Sequence, residues 1–218
     1  IGGQILLFAD WRATFVLLTV IGVFLAGTTL VYQETLPKES RSENMTDSLK
    51  KFPVLFRDRY FLGHCLLQCF VFGAFFSYLS GSSFVFQNIY AVSPQVYSMI
   101  FAFIGAGLMI AGVLPARLAG RIPDIVILKY SVLVPLVGSL LLLLGFYFSA
   151  SLAVILVLLF ITFVPLSVMG ASSFSLALSR QGKNAGSASA LIGCFSMLLG
   201  ACAMPLTGIA GDQTALPM

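Results

Sequence analysis

Residues 60–116 read YFLGHCLLQCFVFGAFFSYLSGSSFVFQNIYAVSPQVYSMIFAFIGAGLMIAGVLPA, 57 positions from Tyr60 to Ala116 without one Asp, Glu, Lys or Arg. A helix crossing a hydrocarbon core about 30 Å thick needs about 20 mostly apolar residues, so this run holds two spans. The break falls at Gln87 to Ser93, where polar residues cluster. Ser93 fits a helix N-cap and Pro94 the first helical position, so a new helix starts there.

Three further stretches lack acidic and basic residues: Ala13 to Gln33, Tyr130 to Ser179 and Asn184 to Gly211. The second, 50 residues long, divides near Phe148 to Leu152, mainly on length. Six spans result: Thr14 to Val31, Phe61 to Phe84, Pro94 to Ala116, Ile125 to Phe148, Leu152 to Leu178 and Ala185 to Ile209. Ile1 to Phe8 reads as the end of another helix. No period-2 alternation is present, which argues against a membrane β-barrel. The fold expected is all-α and polytopic.

Composition agrees. Of the 218 residues, 59% are hydrophobic and 9% charged, with mean hydropathy +1.01; a soluble domain carries about 25% charged residues. A soluble sphere and a disordered chain are both excluded. The net charge of +4 does not point to nucleic acid, because eleven of the twenty charges lie between Glu34 and Arg59 and no basic face remains.

Alternating the loops across the bilayer puts Lys38, Arg41, Lys50, Lys51, Arg57, Arg59, Arg117, Arg121, Lys129, Arg180 and Lys183 on one side, and only Arg12 on the other. That asymmetry makes the basic side cytoplasmic. Arg117, Arg121, Arg180 and Lys183 are expected first as topology anchors, with gating salt bridges as the alternative. The mixed-charge segment Glu34 to Arg59 reads as a solvated cytoplasmic linker between two bundles, residues 1–33 and 60–218. The chain begins with Ile and ends soon after a span, which reads as part of a larger protein.

Cys65, Cys69, Cys194 and Cys202 all fall inside spans and read as packing residues. Cys65 and Cys69 sit one turn apart beside His64, the only His, but no further ligand is near and no metal site is expected. No acidic residue lies within a span, so a proton-coupled version of this protein must carry its proton elsewhere. An enzyme would need clustered His, Asp, Glu or metal ligands, so none is expected and no catalytic residue is assigned.

Local motifs add a family. Ile1-Gly2-Gly3 resembles the tail of a Gly-Pro-rich motif, and Asp10-Trp11-Arg12 with Phe15 a Trp-Arg helix entry. Glu34-Thr35-Leu36-Pro37 resembles the exit into a central loop. Phe75 to Val85 (FFSYLSGSSFV) and Gln181 to Leu191 (QGKNAGSASAL) with Gly193 are more specific. In order along the chain they resemble the major facilitator superfamily, and within it the Bcr/CflA (bicyclomycin and multidrug resistance) branch. Ser83 stands where members of that branch often carry Pro, which implies a softer bend there.

The resemblance implies a carboxy-terminal portion: helices 6 to 11 of a twelve-helix fold of two pseudo-symmetric bundles, working by alternating access around a central site. It implies a monomeric bacterial inner-membrane antiporter exporting small lipophilic drugs, driven by the proton gradient with no bound cofactor. The partners implied are the lipid bilayer and the substrate. A facilitator for a metabolite or sugar and a non-transporting structural subunit remain as alternatives.

Gln68, Phe72, Phe75, Phe76 and Leu79 recur at i, i+4, i+7, i+8 and i+11, one broad helical face. Such a surface suits either surrounding lipid or bulky lipophilic ligands, and the resemblance implies that it lines the cavity. Pro165 in mid-span is expected to kink its helix, as a gating hinge or as a static kink that fits packing, with the hydroxyls of Thr162 and Ser167 able to satisfy the freed carbonyl. Small residues, among them Gly105, Ala106 and Gly107 on one helix and Gly186, Ala190, Gly193 and Gly200 on another, are expected to bring helices together. On that reading Gly193→Leu impairs folding or transport.

Overall fold

The computed structural model describes Ile5, residues 8–32 and residues 52–209. Most of the Ile1 to Phe8 helix end, residues 33–51 with Lys38, Arg41, Lys50 and Lys51, the side chain of Lys183, and residues 210–218 lie outside the described residues.

Eight α-helices are described: α1 (Arg12–Val31), α2 (Phe52–Arg57), α3 (Arg59–Phe84), α4 (Pro94–Gly112), α5 (Leu114–Leu118), α6 (Asp124–Tyr147), α7 (Leu152–Ser179) and α8 (Ala185–Ala203). A π-helical turn, Val85–Ile89, extends α3, and a 3-10 turn, Met204–Gly208, extends α8. Six stretches are long and apolar enough to cross a membrane: Arg12–Val31, Arg59–Ile89, Pro94–Leu118, Asp124–Tyr147, Leu152–Ser179 and Ala185–Gly208.

The helix starts follow local chemistry. The Ser93 hydroxyl accepts from the Val96 amide at 3.3 Å, with Pro94 opening α4. Asp58 caps α3 two residues earlier than hydropathy suggests, its Oδ1 accepting from the amides of Tyr60 (2.9 Å) and Phe61 (3.2 Å). At the outer end of α3, where no proline stands, the helix widens into its π turn and the Gln87 amide donates to Ser83 Oγ at 2.7 Å. Before α1, Arg12 pairs with Asp10 at 3.0 Å and lies 5.0 Å over the Trp11 ring, an interfacial anchor.

Helix α7 is central, packing on α6, α3 and α4, while α3 packs on α8. One core cluster joins Tyr78, Phe86, Ile104, Leu142, Leu159 and Phe163. A second, where α2 and the start of α3 meet the end of α7 and the start of α8, joins Leu55, Phe61, Cys65, Ala177, Ala188 and Ile192. Leu55 belongs to α2 and is 1% exposed, so residues 52–57 of the expected solvated linker instead form a helix docked on the bundle. The leucine and the phenylalanines flanking it find apolar partners, which a linker in water would lack. No residue of α1 is buried.

Lipid tails supply no hydrophobic drive for helix association, so close approach depends on glycine. A Cβ at Gly107 would meet Phe160 and Val164 at 2.7 Å; at Gly138, Thr162 Oγ1 at 2.5 Å; at Gly200, the Phe76 ring at 2.6 Å. Added at Gly186 or Gly193, it meets nothing within 4 Å, and Ala190 is exposed. The expected packing role at Gly186, Ala190 and Gly193 is therefore corrected for this bundle: α8 meets α3 further along, through Gly200 against Phe76 and Ser196 against Cys69.

Candidate functional site

The α3 stripe is where the sequence concentrates its aromatic side chains away from charge. Phe72 and Phe76 stack with ring centroids 6.2 Å apart, and Phe75 meets Phe76 edge-on at 6.1 Å. Phe76 presses on Gly200 of α8. Two turns earlier, the Gln68 amide lies against Gly170 of α7, where a Cβ would sit 3.6 Å from Oε1. The stripe thus begins against α7 and ends against α8. Gln68, Phe72, Phe75, Phe76 and Leu79 are all half-buried, so each keeps some accessible surface.

Gln68 Oε1 is buried with no hydrogen-bond partner in the structure. An orphaned carbonyl oxygen in an apolar setting is costly, and a ligand that donates a hydrogen bond relieves it. Chemically the surface offers three phenyl faces, one leucine and one amide, all neutral. It can hold a lipophilic body and orient one donor group; it has no nucleophile or acid-base pair. Among the described residues no group of three His, Cys, Asp or Glu side chains comes together.

Sequence reading missed two buried polar groups nearby. Tyr78 is 1% exposed, its ring 4.6 Å from that of Phe163 and 6.0 Å from that of Phe101, and its hydroxyl has no partner. Ser172 Oγ is orphaned likewise. Tyr78 faces Phe101 of α4 and Phe163 of α7, beside the stripe, and the signal was a lone tyrosine within the turn Phe75 to Leu79.

Pro165 is half-buried in the middle of α7. Its missing amide frees the carbonyl of Ile161. The hydroxyls do not take that carbonyl as expected: Thr162 Oγ1 donates to Leu158 O at 2.7 Å and Ser167 Oγ to Val164 O at 2.9 Å. Each hydroxyl reaches back within its own turn, which leaves Ile161 out of range. A second proline, Pro135, is buried inside α6.

Arg117 on α5 and Arg121 just after it are exposed, whereas Arg180 makes a defined contact. Its guanidinium lies 3.9 Å over the Tyr60 ring, and Tyr60 meets His64 edge-on at 4.6 Å. Gln181 Nε2 donates to Asp58 Oδ2 at 2.9 Å. The start of α3 and the end of α7 are therefore tied together. The Phe61 amide, then Gln181, hold the Asp58 carboxyl below its ordinary range, with Tyr60 and the Arg180 charge assisting against partial desolvation.

Comparison with known proteins agrees with this architecture. Residues 1–205 match the Major Facilitator Superfamily profile. The whole chain is 38% identical over 221 residues to an "Uncharacterized MFS-type transporter YdgK" of Bacillus subtilis (strain 168) and covers 55% of it. It is 26% identical over 226 residues to a "Bicyclomycin resistance protein homolog" of Haemophilus influenzae, again covering 55%. No solved structure matches the chain. The chain spans about half the length of these curated relatives. A profile match over nearly the whole length, on six helices able to cross a membrane, makes this a multi-pass membrane protein; the chain belongs to the Major Facilitator Superfamily, whose members are transporters rather than enzymes.

Proposed function

We propose that this chain is the carboxy-terminal portion of a bacterial inner-membrane antiporter that exports lipophilic compounds in exchange for protons. The observation that carries the reading is the neutral aromatic stripe Phe72, Phe75 and Phe76 with Gln68 at its foot, on a helix of a transporter family. Similarity to a protein named for bicyclomycin resistance supports export of an antibiotic-like compound. The two bundles, residues 1–33 with whatever precedes them and residues 60–218, rock about a site near the midplane.

Proton coupling is assigned to the amino-terminal half. No Asp or Glu lies within the six spans beyond Asp124, the first residue of α6. The protein acts as a monomer and uses no cofactor other than the proton gradient. A sugar facilitator would need several polar partners on this face, where Gln68 stands alone.

The stripe is tested in proteoliposomes of the full-length protein carrying Phe72→Ala and Phe75→Ala together. Each lost phenyl contact is worth about 1 kcal/mol, so losing two should raise the half-saturation concentration for a lipophilic substrate roughly thirtyfold with little change in protein yield. An unchanged half-saturation concentration would sink the assignment of this face.

A further inference from the structure

Two grooves of similar size open on the bundle surface away from the α3 stripe. One, about 430 Å³, runs between the outer halves of α4 and α7, past Phe103, Val157 and Phe160. The other, about 410 Å³, lies between α5 and α6 over a floor of Val164, Pro165 and Val168. Its walls are apolar: Leu114 and Leu118 on α5 face Val126, Tyr130 and Val134 on α6. From Asp124 at the start of α6 to Val134 is about 15 Å at 1.5 Å per residue, matching the roughly 15 Å depth of one leaflet. The groove thus runs from the cytoplasmic surface to the midplane, the reach of one acyl chain.

Charge distinguishes the two. Arg117, Arg121 and Lys129, all exposed, sit within one position of the lining residues Leu118, Ile122 and Tyr130. Asp124 is the one acid on the same stretch, and among the described residues none of the three cations forms an ion pair. The outer groove has no cation within its stretches of α4 and α7. Topology requires positive charge on the cytoplasmic side, but it does not require two arginines at the mouth of an apolar groove and Lys129 about 8 Å along α6, able to snorkel back, all without an ion pair among the described residues. That combination fits a headgroup phosphate above and a hydrocarbon tail below.

We propose that the α5–α6 groove is a site for an anionic phospholipid of the cytoplasmic leaflet, its acyl chain in the groove and its phosphate held by Arg117, Arg121 and Lys129. Pro165 forms part of the floor, so the bound chain packs against the central helix at its proline.

Thermal unfolding of the purified full-length protein in detergent tests this with phosphatidylglycerol and phosphatidylcholine of matched chains. Phosphatidylglycerol should raise the unfolding temperature at roughly tenfold lower concentration than phosphatidylcholine, and 0.5 M salt should narrow the gap. Arg117→Gln, Arg121→Gln and Lys129→Gln together should erase the preference while the response to phosphatidylcholine persists, which checks that the variant is folded. Arg117→Lys with Arg121→Lys should keep it. Equal responses to the two lipids in the unaltered protein would overturn the proposal. So would a preference surviving the triple substitution, or inorganic phosphate alone reproducing the shift. Should the triple variant fail to fold, native mass spectrometry of the unaltered protein decides: retained phosphatidylglycerol supports the site, and equal retention of both lipids refutes it. None of these readouts depends on transport.

Discussion

Gly138→Leu should abolish recovery of folded, monodisperse protein, whereas Gly193→Leu should leave it intact. At Gly138 an added Cβ would lie 2.5 Å from Thr162 Oγ1, 3.2 Å from Thr162 Cα and 3.3 Å from its Cβ. Two of those atoms are backbone or fixed to it, so no rotamer relieves the clash. Thr162 is buried, and its hydroxyl is committed to Leu158 O at 2.7 Å. Pro135 on α6 and Pro165 on α7 each lie within a turn of the crossing and set its shape.

Overpacking costs about 1–3 kcal/mol where side chains can yield, and more where helices must separate. The α6–α7 contact is the most extensive in the bundle, so separation removes much of what holds α6 in place. At Gly193 nothing lies within 4 Å of the new atom. Size-exclusion profiles and thermal melts of the two variants check the contrast. A Gly138→Leu protein that elutes and melts like the parent would contradict the described crossing.

Tyr78 gives the second large effect, and again a pair of substitutions separates causes. Its ring is nearly enclosed, 4.6 Å from Phe163 and 6.0 Å from Phe101, so Tyr78→Ala leaves a cavity among α3, α4 and α7. Large aromatic-to-alanine changes in a core cost about 3–5 kcal/mol. Tyr78→Phe keeps the ring and deletes a hydroxyl that has no partner, so it should be neutral or stabilising by about 1 kcal/mol. The expected order of melting temperatures is Tyr78→Phe at or above the parent, with Tyr78→Ala far below. A marked loss in Tyr78→Phe would mean that the hydroxyl is bonded after all.

The spans were legible because length and absence of charge are one-dimensional properties. Even the start of α4 could be read, from Ser93 and Pro94. Inside a membrane, however, leucine faces lipid as readily as protein, so hydropathy no longer marks the packed side of a helix. That is why Gly193 and Gly200 looked alike, although only Gly200 meets Phe76. Helix α2 was hidden by the charges around it, and the Pro135–Gly138 turn by its uniform leucines.

At the site, periodicity alone put Gln68, Phe72, Phe75, Phe76 and Leu79 on one face. It did not reveal that Gln68 leans on α7 and Phe76 on α8. Arg180 over Tyr60 and Gln181 on Asp58 join residues about 120 positions apart, beyond any local pattern.

Gradient-driven movement of a lipophilic compound by the full-length protein is the proposed activity. Uptake of a radiolabelled lipophilic antibiotic with no titratable group, which ion trapping cannot mimic, into proteoliposomes with an acidic lumen tests it directly. Accumulation above protein-free liposomes that collapses on adding a protonophore is expected; uptake equal to protein-free liposomes, or indifferent to the gradient, would rule out proton-driven transport of the compound.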